Sequence, residues 1–197
     1  MVRNKWMTLL IVTICLSVSF VGCQTRESTK EEVYKKFQEQ VSKIESYTCT
    51  AEIEVVGNKG KSSYTLKHYY KKPDNYKLEV ISPEHLKGKT MEYKDNKIIV
   101  KNPDIDDLVE LPNESKDQQY LFIGDFIKNY LQNEAITMNS SDSELILEAS
   151  IPGDDEYFNK QILYINKENK NPDKMEILDK NRKIRFTVKY DNFEYKK

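Results

Sequence analysis

The side chains that could form a catalytic or metal site are few in this sequence. His68 and His85 fall on different predicted elements, and no HxxxH, HExxH or CxxC pattern accompanies them. A zinc site built by this chain alone is therefore not expected. Cys49 and His68 each lie in an alternating run of apolar and polar residues, which is typical of one face of a strand. Cys49 is expected to be a core residue rather than a nucleophile, and His68 is expected to be a packed or a rim residue rather than a ligand.

Two acidic stretches could hold a cation or take part in acid–base chemistry. They contain Asp104, Asp106 and Asp107 in the first and Asp154, Asp155 and Glu156 in the second. Neither stretch has the spacing, the glycine and the terminal glutamate of an EF-hand loop, so both are interpreted as solvated loops. No G-x-S-x-G, P-loop or G-x-G-x-x-G pattern is present. A carboxylate pair for glycoside hydrolysis is a spatial arrangement that the sequence leaves open. The residues favour a protein that is not an enzyme and has no metal or cofactor.

The run from Lys67 to Lys72 interleaves lysines with tyrosines, a combination that can bind single-stranded nucleic acid. The formal net charge of the chain is −1, however, with 31 Lys and Arg against 32 Asp and Glu. This balance lacks the basic excess of nucleic-acid-binding domains. The run is interpreted as a charged strand face, and no nucleic-acid partner is expected.

Cys23 is the residue with the clearest predicted chemistry. An apolar run over residues 7–22 follows Arg3 and Lys5; it is too short to cross a bilayer core, which needs about 20 residues, and suits a secretory signal. It ends in Phe20-Val21-Gly22-Cys23, the pattern of a bacterial lipobox with Phe20 in place of the usual aliphatic residue. We expect diacylglycerol and acyl lipid on Cys23 and anchoring to the outer face of a bacterial membrane, either that of the cell or that of a spore. The alternative is an ordinary cleaved signal followed by a chance cysteine.

This interpretation divides the chain into a signal peptide (1–22), a lipidated tether (23–28) and a single domain (29–197). The 175 residues left after cleavage are enough for one hydrophobic core. The 13 tyrosines and 7 phenylalanines argue against disorder. Cys15 leaves with the signal and Cys23 carries lipid, so Cys49 has no cysteine to pair with.

The order of hydrophobic periods predicts an α+β fold. A capping box at Thr29 and Glu32 opens a helix over 29–46, and a second apolar helix is predicted over 117–133. Residues 103–116 are predicted to be acidic and irregular. Alternating runs predict five strands between the helices and four after the second one, at 47–56, 63–71, 76–80, 90–93, 97–100, 144–151, 161–166, 174–178 and 183–190. Short links make the strands antiparallel, and a sheet of this size is expected to curl into an unclosed half-barrel covered by the helices.

Two segments resemble the LolA/LolB-like lipoprotein superfamily. They are the strand start from Tyr69 to Glu79 (YYKKPDNYKLE) and the hairpin from Tyr93 to Ile99 (YKDNKII). The resemblance covers about residues 29–193 and implies an unclosed barrel with helices as its lid. Within the superfamily, the chain is most similar to the clostridial spore-germination lipoproteins. That similarity implies a partner, a cell-wall N-acetylmuramoyl-L-alanine amidase that modifies cortex peptidoglycan and that carries the zinc and the catalysis itself.

Two functions follow as hypotheses. The first is an accessory lipoprotein that binds the amidase, with exposed tyrosines such as Tyr69 and Tyr157 as contacts and with a possible homodimer through a sheet edge. The second is a carrier or chaperone of lipids or lipoproteins. Its cavity is expected to be lined by Tyr76, Leu78, Val80, Phe122, Phe126 and Ile127. In the alternative interpretation those large side chains simply fill the space as core.

Overall fold

The computed structural model describes residues 29–73, 75–94, 97–103, 107–112, 122–132, 136–153 and 155–196. The predicted signal peptide, the lipidation site at Cys23 and the tether lie outside the described residues, as do Asp104, Asp106 and Asp154. In the described ranges no helix is long and apolar enough to cross a membrane.

The first helix, α1 (Lys30–Ser42), begins where the sequence predicts. The Thr29 hydroxyl accepts from the Glu32 backbone N–H, and a Glu32 carboxylate oxygen accepts from the Thr29 N–H, both at 3.2 Å. Val33 and Phe37 lie on the buried face. The helix ends at Ser42, earlier than the predicted position 46, and the Ser42 hydroxyl donates to the Glu39 carbonyl at 3.0 Å. Such a bond competes with the helical pattern.

Eleven strands and a second helix, α2 (Ile123–Gln132), make up the rest of the described architecture. The strands are β1 (Ser46–Val56), β2 (Lys61–Lys71), β3 (Asn75–Ser82), β4 (Thr90–Lys94), β5 (Lys97–Asn102), β6 (Asp107–Pro112), β7 (Ile136–Ser140), β8 (Glu144–Ser150), β9 (Lys160–Asn166), β10 (Pro172–Leu178) and β11 (Ile184–Lys196). A short 3-10 turn, Glu84–Leu86, lies between β3 and β4.

All eleven strands form one antiparallel sheet in the order β6-β5-β4-β3-β2-β1-β11-β10-β9-β8-β7. The chain starts at the centre, moves outward to β6, and later returns from β7 to pair β11 with β1. The edges β6 and β7 do not pair with each other, so the sheet is not a closed barrel. The predicted fold class, a large unclosed antiparallel sheet, is confirmed. The sequence prediction missed two strands, β6 and β7, and both are edges.

The position of α2 shows that the sheet is curled. The Phe122 ring lies 5.7 Å from the Tyr93 ring on β4, and the Asn129 amide donates to the Gln161 side-chain oxygen on β9 at 3.3 Å. In a flat sheet, six strand intervals would separate β4 from β9 by roughly 29 Å. The seven residues from Phe122 to Asn129 rise only about 10 Å as a helix. One short helix reaches both strands because the sheet bends around it.

The core lies on the inner face of the curl. The main cluster joins the buried residues of α1 and α2 to those of both halves of the sheet, including Phe37, Phe126, Leu147, Leu163 and Met175. A second cluster, of Tyr76, Tyr93, Ile98 and Phe122, fills the space beside β3, β4 and β5. The helices cover a minor part of the sheet, with 13 residues in α1 and 10 in α2.

Candidate functional site

Aromatic side chains gather at one end of the sheet, where β1, β3 and β5 begin and β2, β4 and β11 end. The strand register pairs Tyr47 with Tyr70, Tyr70 with Tyr76, and Tyr76 with Tyr93. The Tyr47 and Tyr70 ring centroids are 5.2 Å apart, and those of Tyr70 and Tyr76 are 5.0 Å apart. Side chains at paired positions share a face of the sheet, so the pairing builds a continuous row of tyrosines.

A groove with a volume of about 360 Å³, here called the tyrosine groove, crosses this end of the sheet. Three successive residues from each of four strands line it, together with two residues of β11. They are Ser46–Thr48, Tyr69–Lys71, Asn75–Lys77 and Glu92–Lys94, with Glu194 and Lys196 from β11. Because successive residues of a strand point to opposite faces, the four lysines and two glutamates share a face with Tyr69, whereas Tyr47, Tyr76 and Tyr93 face the core and are 3–4% exposed.

A separate space of about 350 Å³, the helix cavity, lies between α2, the end of α1 and the sheet. Its lining consists of Val41, Ser42, Ile44, Tyr47, Tyr70, Lys72, Ile123, Gly124, Ile127, Phe193 and Tyr195.

Among the side chains proposed from the sequence to line a cavity, Ile127 lines the helix cavity. Phe122 and Phe126 are 1% and 0% exposed and pack in the core, while Tyr76 lines the groove. Leu78 packs beside the second cluster, and Val80 is half-buried on β3.

Gly124 sets how closely α2 approaches the sheet. A Cβ at this position would lie 2.7 Å from the Tyr76 hydroxyl oxygen, shorter than any ordinary van der Waals contact. Tyr76 cannot easily yield, because its ring packs against both Phe122 and Tyr70, with ring centroids 4.2 and 5.0 Å away. A residue without a side chain is needed here for close approach.

The buried polar groups under α2 are held in neutral form. His68 is 1% exposed, neither of its ring nitrogens has a hydrogen-bond partner among the described residues, and burial lowers its pKa to about 4. Burial raises the pKa of the Cys49 thiol to about 12, with a smaller contribution from Asp191. Tyr47 is 4% exposed with an unpartnered hydroxyl, and burial raises its pKa well above the ordinary value. His68 and Cys49 are 1% and 2% exposed, so a substrate in solution does not reach either side chain.

The two tyrosines proposed as partner contacts lie far apart. Tyr69 is half-buried between the ammonium groups of Lys67 and Lys77, at 5.4 and 5.6 Å from its ring centroid. Tyr157 is 39% exposed and lies beside Asn58, beyond the other end of β1. The Thr48–Val56 part of β1 alone spans about 26 Å. The structure does not bring Tyr69 and Tyr157 together.

Tyr157 belongs to a rigid surface that we call the turn platform, formed by Asn58, Tyr157, Asp179 and Arg185. The Asn58 amide donates to the Tyr157 hydroxyl at 3.1 Å and accepts from the Arg185 guanidinium at 3.3 Å. The same guanidinium lies 5.0 Å from the Tyr157 ring centroid and donates to Asp179 at 2.7 Å. Three loops are tied together at this point, so Tyr157 is presented in a fixed orientation.

Asp179 is the buried charge beneath this platform, and the sequence analysis did not single it out. Its carboxylate accepts backbone N–H bonds from Lys183 and Asn181, each at 2.9 Å, as well as the Arg185 bond. The Lys183 backbone bond, followed by the Arg185 and Asn181 bonds, lowers its pKa against the opposing effect of desolvation. The short gap between the predicted strands at 174–178 and 183–190 was the available signal, because an aspartate in a turn commonly accepts hydrogen bonds from the backbone of that turn.

The described residues contain no group of three or more His, Cys, Asp or Glu side chains placed to hold a metal ion. Asp107 begins strand β6, and the Asp155 carboxylate accepts the backbone N–H groups of Tyr157 and Phe158 at 2.6 and 3.0 Å. The part of the second acidic stretch that is described therefore contributes to loop structure.

Comparison with known proteins gives a family match and several similar structures. The chain matches the family described as sporulation protein YdcC-like over residues 3–197. It is 20% identical over 193 residues to sporulation protein YdcC of Bacillus subtilis (strain 168), covering 95% of this chain and 56% of that protein, so it spans little more than half of that relative's length.

A chain in the structure of the CwlD amidase from Clostridioides difficile in complex with the GerS lipoprotein is 62% identical. That match has a TM-score of 0.56 and covers 88% of this chain and 99% of the other. The LolA-superfamily protein NE2245 from Nitrosomonas europaea is 15% identical with a TM-score of 0.46, covering 86% and 94% of the two chains. Both groups named from the sequence, the LolA superfamily and the clostridial germination lipoproteins, are among these similar proteins.

Proposed function

This chain belongs to the family of YdcC-like sporulation proteins, and from that premise we propose that it is a non-catalytic lipoprotein that binds and assists a cell-wall amidase in spore germination. The observation that carries the proposal is its 62% identity to a chain from the complex of an amidase with the GerS lipoprotein. The burial of His68 and Cys49, which keeps both away from a substrate in solution, supports a binding role over a catalytic one. In this role the metal and the hydrolysis belong to the amidase.

The turn platform is the surface we assign to the amidase. Tyrosine and arginine are the residue types most enriched at the energetic centre of protein interfaces, and a side chain that is already rigid loses little entropy on binding. Tyr157 is both exposed and held by Asn58 and Arg185. Tyr69 is less suited, because two lysines already flank its ring.

Co-purification of the full-length protein in detergent with the organism's exported amidase tests both the amidase complex and its assignment to the turn platform. We expect a stoichiometric complex, with Tyr157→Ala weakening it by about 30-fold, the effect of a residue worth 2 kcal/mol at an interface. Tyr69→Ala is the matched control and should leave affinity near the wild-type value. A complex weakened only by Tyr69→Ala would move the interface to the other end of the sheet, and no complex at micromolar concentrations would reject the function.

The lipid on Cys23 is part of the proposal and has its own test. Cys23→Ala should release the protein into soluble fractions, because two acyl chains provide stable anchoring and none would remain. Persistent membrane attachment of the variant would indicate an uncleaved signal segment instead.

A second candidate function, carriage of an apolar ligand, is supported by the helix cavity. Its volume falls within the range of small-molecule sites, and the lining includes Ile44, Ile123, Ile127 and Phe193. Mass spectrometry of the purified protein should then find a bound lipid, and a fluorescent fatty-acyl probe should bind. Ile127→Trp would fill the cavity and abolish binding, whereas Ile184→Trp on the exposed surface would not. Equal probe binding by both variants would count against this function.

The possible homodimer is proposed at the β6 edge. Leu108 and Val109 of β6 are 50% and 45% exposed, and an unpaired edge can add a strand from another chain. Val109→Lys should convert a dimer into a monomer in light scattering; an unchanged mass would exclude this edge.

A further inference from the structure

The tyrosine groove carries positive charge that the protein itself does not neutralise. Its four lysines are Lys71, Lys77, Lys94 and Lys196. Within the described part of the chain, none of them forms an ion pair. Of the two acidic groove residues, Glu92 already pairs with Lys101 at 3.6 Å. The groove is therefore a net positive concave surface in a protein whose overall formal charge is −1.

The groove also has the size and surface of a site for a discrete ligand. Its volume of about 360 Å³ lies within the range of small-molecule sites. Tyr69 is half-buried on the same face as the lysines, where Asn75, Ser46 and Thr48 add neutral hydrogen-bonding groups. Amide and hydroxyl groups beside cations suit a ligand that carries both hydroxyls and carboxylates, as an acidic sugar does.

A lipid surface is a poorer match for this groove. Membrane-associating surfaces combine basic residues with exposed apolar side chains that enter the bilayer. The large hydrophobic side chains exposed among the described residues are Ile81, Leu108, Val109, Tyr157 and Ile184. None of these five lines the groove.

We propose that the tyrosine groove binds an anionic saccharide, specifically a glycan strand whose sugars carry free carboxylates. The sugar hydroxyls would bond with Ser46, Thr48 and Asn75, and the carboxylates would pair with the surrounding lysines. The groove extends across five neighbouring strands, β4, β3, β2, β1 and β11, or roughly 19 Å, which allows contact with more than one sugar. Pairing with several lysines makes the affinity dependent on ionic strength.

The choice of glycan rests on the proposed function. Hydrolysis of the amide between a muramic acid lactyl group and a stem peptide consumes water, leaves a carboxylate on the glycan and releases an amine on the peptide. The glycan that an amidase leaves behind therefore carries negative charge, which is complementary to the four lysines. The groove would hold this product while the turn platform, at the other end of the sheet, holds the enzyme.

Titration of the full-length protein in detergent with defined glycans tests the assignment. The probe is peptidoglycan glycan freed of stem peptides; chitin oligosaccharides supply the same sugar backbone without carboxylates, and polyglutamate supplies carboxylates without sugar. We expect the peptide-free glycan to bind best and its affinity to fall with added salt. Polyglutamate binding as tightly as the glycan, or no glycan binding at all, would overturn the proposal.

Lysine variants localise the binding. Lys71→Ala combined with Lys94→Ala should weaken glycan binding by about tenfold, as expected for loss of two exposed charge pairs. The matched control is Lys59→Ala combined with Lys183→Ala, two exposed lysines at the other end of the sheet. Equal losses in both double variants would overturn the assignment to the groove. Amidase co-purification with the same proteins separates the glycan proposal from the proposed amidase-binding function. Glycan binding without an amidase complex would reject amidase binding, and the tyrosine groove would remain assigned to the glycan.

Discussion

Gly124 lies close to Tyr76, and Gly124→Ala should change the stability of the protein through two effects of opposite sign. Gly124→Ala should favour helix formation, since alanine is better than glycine by about 1 kcal/mol in a helix interior and by less in the first turn. The new Cβ would meet the Tyr76 hydroxyl at 2.7 Å, whereas contacts of 3.4 Å or more are ordinary. Overpacking of a buried site typically costs about 1–3 kcal/mol. We expect the clash to exceed the helix propensity, with a net loss of about 1–2 kcal/mol.

A double-mutant cycle isolates the clash. With Tyr76→Phe, the nearest atom to the new Cβ becomes the ring carbon at 3.7 Å, an ordinary contact. In that background Gly124→Ala should be neutral or should stabilise by up to about 1 kcal/mol, and the cycle should show a coupling of roughly 1–3 kcal/mol. The cost of Tyr76→Phe itself cancels in the cycle. Urea unfolding followed by circular dichroism measures all four proteins. If Gly124→Ala changes stability equally in both backgrounds, the close approach of α2 to Tyr76 is not the reason for glycine at this position.

Two further predictions concern stability. The pKa of His68 is about 4 in the folded protein against an ordinary 6.5, so the unfolded chain binds more protons between these values; stability should fall by about 3 kcal/mol as pH drops from 7.5 to 4. His68→Leu should remove that part of the pH dependence in urea unfolding, and an unchanged profile would show that His68 is not its source. Thr29→Ala removes half of the capping box and should cost about 1 kcal/mol, whereas Thr29→Ser should cost little; equal losses would mean that the hydroxyl is not the stabilising group.

The central strands could be predicted from the sequence because one face of each strand is apolar and the other is polar. Cys49, Ala51 and Ile53 are buried as their alternation predicts, and the Thr29 capping box marks the start of α1 correctly. The edge strand β6 lacks this signal, since Leu108 and Val109 are adjacent in sequence and both exposed. A strand with one neighbour and little burial has no periodic constraint to reveal it.

The candidate surfaces were harder to predict than the fold. The sequence indicated Tyr157 as a partner contact. Its structural neighbours Asn58 and Arg185 come from distant parts of the chain, so no sequence pattern predicts that the three residues meet. The tyrosine groove depends on the register of five strands, which sets Tyr69 beside Lys77 and Thr48. Register is fixed by packing and turn geometry in three dimensions, so residue types alone could not assemble the groove.

The pairing of the first strand with the last has a consequence for the order of folding. The register joins Ser46 to Lys196 and Val55 to Phe186, so the middle of the sheet is completed by the pairing of two strands that are far apart in the sequence. Contacts of such large sequence separation close slowly, because the entropy of a long loop must be lost before they form. A chain arranged in this way leaves β1 without its second neighbour until β11 is available. Loss of residues 184–196 would therefore disrupt the centre of the sheet rather than its periphery.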